Sequence, residues 1–286
     1  MCRLTSNAIK WSSLIIFVLL LTVISNCGDR GDDIKVNIVV TIPPQAEFVR
    51  AVGGDKVSVS VLVPPGANPH TYEPTPAQLK SISEADIYYI VGSGIEFELI
   101  WVKKLKGINH DMVVIDGSEG IELIDGDPHI WLSPKNAIIM VNNLCEGLIK
   151  IDPDNSKYYE ANKDRYIVRL RNLDNEIMEK LSGINNRRFI VYHPSWAYFC
   201  HDYNLTQIPI EQEGKDPTAQ TIEEVIKEAR SFGIYVVFVS PQHSTRSAEV
   251  IADEIGGETV PINPLSENYI ENIKNVADKL AEALKR

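Results

Sequence analysis

Three of the six histidines in this chain stand a short way beyond an apolar, strand-like run. His70 follows Val57–Val63 through the turn Pro64-Pro65-Gly66-Ala67-Asn68-Pro69, and His129 lies in Asp127-Pro128-His129-Ile130-Trp131 beyond Met112–Ile115. His193 ends the run Arg188–Tyr192. Neutral imidazole nitrogen is a preferred ligand for borderline metals such as Zn²⁺. In an open α/β sheet, ligands bind outside the carboxyl ends of the strands, so imidazoles from three strands can converge on one point. The spacings of 59 and 64 residues match no local zinc signature, with no Cys-x-x-Cys and no His-Glu-x-x-His. The site exists only if the fold assembles it.

The elements that must do so alternate. Val36–Thr41, Val57–Val63, Ile87–Val91 and Val113–Ile115 read as strands, with helices at 45–52, 76–84 and 97–105 between them. Ser133 as N-cap and Pro134 at the first helical position open another helix. This β-α-β-α rhythm predicts a parallel sheet covered by helices. Residues 153–183 break it. Tyr159, Tyr166, Leu170, Leu173, Ile177 and Leu181 follow a three-four spacing, and Gly183 sits where a C-terminal cap belongs. Strand and helix then resume at 189–192, 221–231, 235–239, 248–255, 259–262 and 269–284. The expected architecture is α/β in two lobes, 36–152 and 184–286, each a parallel-rich sheet flanked by helices, joined by one long rigid helix.

The start of the chain reads as a targeting segment. Arg3 and Lys10 precede the apolar run Leu14–Ile24, which is too short to span a membrane but suits a signal-peptide core. The run ends at Val23-Ile24-Ser25-Asn26-Cys27, which resembles a lipobox. We therefore expect a signal peptide over 1–26, lipidation at Cys27 and a linker over 27–35. The domain would then be anchored on the outer face of the cell membrane. Beyond Asn26 the chain keeps all 39 acids and 26 of the 28 bases, a formal charge of −13 that disfavours nucleic acid. Cys2 leaves with the signal, and Cys145 and Cys200 are expected as buried thiols rather than a bridge.

Several motifs together resemble the zinc and manganese solute-binding proteins of ABC importers (the cluster A-I metal receptors), and within them the zinc-binding branch. They are the segment from Pro64 to Pro76 around His70, Gly92-Ser93-Gly94 running on to Glu96 and Trp101, the segment from Asp127 to Pro134 around His129, and Tyr192 to Phe199 around His193. The resemblance runs from Val36 to the C-terminus. It implies a receptor without enzymatic activity that captures its ion between the lobes and delivers it to a membrane permease. His70 and His129 would come from one lobe and His193 from the other, with the long helix allowing only modest lobe rotation. A monomer is expected.

The family's fourth ligand is typically an Asp in an Asp-Pro-Leu-like segment, where this chain has Asn263-Pro264-Leu265. An amide oxygen is a weaker donor than a carboxylate, which disfavours Mn²⁺ more than Zn²⁺. The manganese-type members often carry Glu where this chain has His193, which points the same way. The candidates for the fourth position are Asn263, a water, or His243, which follows Tyr235–Val239. Zn²⁺ is the expected cargo, with Mn²⁺ as the alternative, and affinity is expected to fall below about pH 6, near the ordinary imidazole value. A zinc hydrolase is the contrasting reading, since three histidines with an open position also activate water. Glu73 and Glu213 are candidates to orient an imidazole, and His110 and His201 are expected to be exposed. The acidic stretch 117–127 carries no histidine-rich loop.

Overall fold

The computed structural model describes residues 35–285, apart from Asp125 and Glu213. The signal peptide, Cys27 and Glu213 therefore lie outside the described residues. From Lys35 onward the chain packs as one unit.

Its first half alternates strand and helix: β1 (Val36–Val40), α1 (Pro43–Gly53), β2 (Val57–Val61), α2 (Pro76–Ser83), β3 (Ile87–Ile90), α3 (Glu96–Ile108), β4 (Val113–Asp116) and α4 (Pro134–Ile151). The four strands form a parallel sheet in the order β2-β1-β3-β4. The second half repeats the plan with β5 (Arg188–Val191), α6 (Ala197–Tyr203), β6 (Thr206–Pro209), α7 (Ala219–Phe232), β7 (Val236–Val239), α8 (Arg246–Glu254), β8 (Glu258–Pro261) and α9 (Tyr269–Leu284), with sheet order β6-β5-β7-β8, again parallel. Between the halves runs α5 (Ser156–Leu181), 26 residues long.

The sequence expectation for α5 holds in its buried stripe, since Tyr159, Tyr166, Leu170, Leu173, Ile177 and Leu181 all face inward. Its start differs. Pro153–Asn155 form a separate 3-10 turn, pinned where the Asp152 carboxylate accepts from Asn155 Nδ2 (2.7 Å) and from Tyr159 OH (2.6 Å). The expected strand over 57–63 ends at Val61. Strand β6 was not anticipated: Thr206-Gln207-Ile208-Pro209 is too short and too polar to stand out by alternation, and it is held by parallel pairing to β5.

Period-two alternation gives the second sheet two buried faces. Phe189, Val191 and Phe238 join a core that also holds Val40, Tyr88 and Trp131 of the first half and Leu170 of α5. Ile190, Val237 and Val239 face a separate core closed by Val225 of α7 and Ile251 of α8. One continuous apolar core thus runs from the first sheet through α5 into the second. Cys145 and Cys200 are free and buried, and burial pushes their thiols up to about 11 and about 12. Among the described residues no helix is long and apolar enough to cross a membrane.

Candidate metal centre

The carboxyl ends of the strands supply the site. His70 follows β2, Glu96 follows β3, and Asp127 and His129 follow β4. In the second half His193 follows β5, Glu211 follows β6, His243 follows β7 and Asn263 follows β8. Of these, His70, Glu96, His129, His193, Glu211 and His243 line a cleft of about 560 Å³.

Two of the three imidazoles are aimed by the same local device. In Asn68-Pro69-His70 the Asn68 Oδ1 accepts from the His70 backbone N–H at 2.9 Å, and in Asp127-Pro128-His129 the Asp127 Oδ1 accepts from the His129 N–H at 2.8 Å. A proline with fixed φ and no N–H leaves the residue after it as the natural donor to the Asx side chain. His193 is placed by the sheet itself, because Tyr192 N donates to Phe238 O at 2.9 Å as the last rung before it. The Gly92–Gly94 segment has a positional role. Ser93 Oγ donates to the Pro128 carbonyl beside His129. Gly92 has φ +84°, and a Cβ there would fall 1.8 Å from Asp116 Oδ1, so glycine is required. Buried Glu98 fixes the start of α3 by accepting from Val91 N (2.7 Å) and Gly92 N (2.9 Å).

The three rings stand at the corners of a triangle whose sides are 5.1 Å (His70–His193), 5.2 Å (His129–His193) and 5.7 Å (His70–His129). A zinc ion with Zn–N bonds of ~2.0–2.1 Å places ring centres about 3.2 Å from itself, and at tetrahedral angles about 5.2 Å from one another. Two sides match that spacing, and the third, His70–His129 at 5.7 Å, is somewhat longer. The Nε2 atoms of His129 and His193 are 3.4 Å apart, and one nitrogen from each of the three rings lies within 4.8 Å of the others.

Behind each ring sits a carboxylate. Glu96 contacts His70 Nδ1, Asp127 Oδ1 lies 2.6 Å from His129 Nδ1, and Glu211 Oε2 lies 3.1 Å from His193 Nδ1. Such partners fix the tautomer, leave Nε2 for the ion and raise its basicity. Asp127 and Glu211 are both nearly buried. Burial alone would raise their pKa values. For Asp127 the bonds from the ring and backbone of His129 and from Ala197 N outweigh it, and for Glu211 the imidazoles of His193, His243 and His70 do, so both carboxyls titrate below the usual range.

His243 stacks on His193 with ring centres 4.5 Å apart and planes 18° from parallel, and its Nδ1 faces Glu211 Oε2 at 3.4 Å. Burial, reinforced by the neighbouring imidazole of His193, lowers its pKa to about 4. Asn263 is not brought among the imidazoles. Its Oδ1 accepts from Leu265 N and Gln242 Nε2, both at 3.0 Å. The reason is visible in the chain: Asn263-Pro264-Leu265 is a third Asx-Pro turn, and the residue it aims is a leucine. Glu73 is exposed on its loop, and His110 and His201 are exposed as expected.

Sequence reasoning missed Glu96, Asp127 and Glu211 as partners. Glu211 was hidden because β6 was. Applying the strand-end rule to every strand would have placed a residue of this loop at the cleft. Asp127 was legible in the repeated Asx-Pro-His.

Two parallel sheets bridged by one long helix, with a three-imidazole cleft at the strand ends, define a two-lobed α/β receptor for a metal ion. Residues 38–283 match the family described as ZnuA, zinc-uptake complex component A, periplasmic, and the chain belongs to that family, which comprises solute-binding receptors rather than enzymes. The high-affinity zinc uptake system protein ZnuA of Bacillus subtilis (strain 168) is 29% identical over 96% of this chain and 98% of its own length. The zinc-binding lipoprotein AdcA of Streptococcus pneumoniae (strain ATCC BAA-255 / R6) is 30% identical over 97% of this chain, which spans 60% of that longer protein. Among solved structures, a ZnuA crystal structure superposes with a TM-score of 0.85 at 44% identity, over 87% of this chain and 99% of its own. The Zn(II)-bound ZnuA-like domain of Streptococcus pneumoniae AdcA gives a TM-score of 0.77 at 29% identity, over 88% and 100%.

Proposed function

We propose that this chain is an extracytoplasmic Zn²⁺ receptor that holds the ion between His70, His129 and His193 and delivers it to an ABC importer. The observation that carries the reading is the ring triangle, whose sides match those of three imidazoles around one tetrahedral zinc. An all-nitrogen set from the protein, with water in the fourth position, favours zinc over the more oxygen-seeking manganese. The halves 36–152 and 184–286 act as lobes, with residues 153–183 between them. Cys27 carries the lipid that keeps the receptor at the membrane, and the receptor works as a monomer. The family membership and the zinc-binding relatives support this reading.

The test is competitive titration of the metal-stripped protein with Zn²⁺ and Mn²⁺, beside His193→Ala. One zinc per chain, a large preference over manganese, and a loss of ~100-fold or more in the variant are expected, a larger effect than removing an outer partner produces. Equal or tighter manganese binding, or an unaffected variant, would overturn the assignment.

A further inference from the structure

We infer that His193, Glu211 and His243 form a second zinc-holding set, which takes the ion from the first by a turnover of His193 from Nε2 to Nδ1 ligation. The inference rests on the zinc reading above and deepens it. Ligand atoms of these three residues lie within 4.8 Å of one another, as do those of His70, His129 and His193, and His193 belongs to both groups.

The spacing suits a metal. Two ligands on one tetrahedral zinc at ~2.0–2.1 Å stand about 3.3–3.4 Å apart. His193 Nδ1 to Glu211 Oε2 is 3.1 Å, and His243 Nδ1 to the same oxygen is 3.4 Å. His243 is stacked on His193, so both Nδ1 atoms face one carboxylate from the same side, and a modest tilt of His243 opens the gap for an ion. Two imidazoles, one carboxylate and a water make a standard zinc donor set. His243 does not read as a fourth ligand of the first set, because its ligand atoms gather with those of His193 and Glu211 and not with those of His70 and His129.

A neutral imidazole has a single ring lone pair, so His193 serves one set at a time. In the first arrangement its Nδ1–H donates to Glu211 and its Nε2 binds the ion. In the second, Nδ1 binds, and the proton it gives up is taken by the freed Nε2 through solvent, so no net proton is gained or lost. The two sets also differ in origin. The first draws ligands from strand ends of both sheets, whereas the second comes wholly from the strand ends of β5, β6 and β7. Loosening the loops that carry His70 and His129 therefore need not free the ion into water. It can be retained by the second half alone, one imidazole width away, on its way out or in.

The experiment compares zinc binding by the full chain, His70→Ala/His129→Ala, and His70→Ala/His129→Ala/His243→Phe, using a competing chromogenic chelator. The wild-type chain reports the first set. The double variant is expected to keep one weaker zinc site, and adding His243→Phe is expected to weaken that site by at least ~10-fold, as loss of one of three protein ligands should. Zinc K-edge absorption of the double variant should show two imidazoles with oxygen donors. Circular dichroism checks folding, and if His243→Phe misfolds, Glu211→Gln on the same double background replaces it with the same expectation. A double variant that binds zinc no better than the triple would overturn the second set, while the gap between wild type and double variant reports separately on the first.

Discussion

Asp127→Asn separates two jobs that one buried carboxylate performs. Asp127 Oδ1 accepts from His129 Nδ1 (2.6 Å) and from the His129 backbone N–H (2.8 Å), while Oδ2 accepts from Ala197 N (3.2 Å) at the start of α6 in the other half. Asparagine has nearly the same shape but only one acceptor. With its oxygen kept toward His129, its NH₂ meets the Ala197 N–H donor to donor. The bond behind His129 then drops from charge-assisted to neutral, a loss of about 1 kcal/mol. Outer partners of metal-ligating histidines typically contribute 10–100-fold in affinity, or about 1.4–2.8 kcal/mol. Zinc affinity of the variant is therefore expected to fall ~10–100-fold by chelator competition near neutral pH. The unpaired Ala197 N–H costs about 1–3 kcal/mol in the metal-free protein, read as ~2–4 °C of melting temperature per kcal/mol for a chain of this size. Affinity within about twofold of wild type, with the melt still lowered, would refute the orienting role and leave Asp127 as a strap between the halves.

Asn263→Ala is expected to leave zinc affinity within ~3-fold while removing two hydrogen bonds worth about 1 kcal/mol each. A zinc loss above ~10-fold in the same titration would place the amide oxygen on the ion instead. Trp131→Phe deletes the Nε1–H bond to the Pro264 carbonyl (2.8 Å), which ties the His129 turn to the Asn263 turn. The carbonyl left unpaired should lower metal-free stability by about 1–3 kcal/mol in thermal or urea unfolding, and an unchanged transition would sink that account. In the metal-free protein His243 titrates near pH 4, below the ordinary imidazole, so between about pH 6.5 and 4 the unfolded chain takes up a proton that the folded one refuses. Stability should fall as pH drops through that window, and fall further below about pH 4, where the depressed Asp127 and Glu211 become protonated. His243→Phe should flatten the first part only, and superimposable melting curves for variant and wild type would contradict this.

The legible part of this molecule was whatever repeats. Hydrophobic period gave seven of the eight described strands and the stripe of α5, because Val, Ile and Tyr at fixed spacings must be buried somewhere. Three histidines were legible because each follows an apolar run in a chain whose rhythm demands parallel strands. What stayed hidden depends on contacts between segments far apart in sequence. Thr206-Gln207-Ile208-Pro209 is a strand because β5 lies beside it, and only that pairing brings Glu211 under His193. Glu73 stands exposed on its loop while Glu96 and Glu211 contact His70 and His193, because proximity in sequence to a histidine says little about which carboxylate stands behind its ring. Asn263 shows the converse, a residue matched to a motif position whose Oδ1 accepts from Leu265 N in its own turn and from Gln242.

A carrier must hold zinc firmly and still surrender it, and the packing limits how. Phe189, Val191 and Phe238 of the second sheet share one buried core with Val40, Tyr88 and Trp131 of the first and Leu170 of α5, so swinging the halves apart would expose apolar surface at about 25 cal/mol per Å². Large hinge opening is therefore unfavourable, and the cheaper motion is local, in the loops that carry the ligands. Those loops are not equal. The His129–Asp127 and His193–Glu211 pairs are nearly buried, whereas the His70 side chain is 20% exposed and its partner Glu96 is 50% exposed. Water screens that outer pair most, so its hold on the ring is the weakest of the three. His70 sits nine residues past the end of β2 and His129 thirteen past β4, while His193 is only two past β5, so exposure rather than tether length sets His70 apart. In the proposed site, release that begins at His70 would break one coordinate bond at the solvent edge and leave both buried imidazole–carboxylate pairs and the shared core intact.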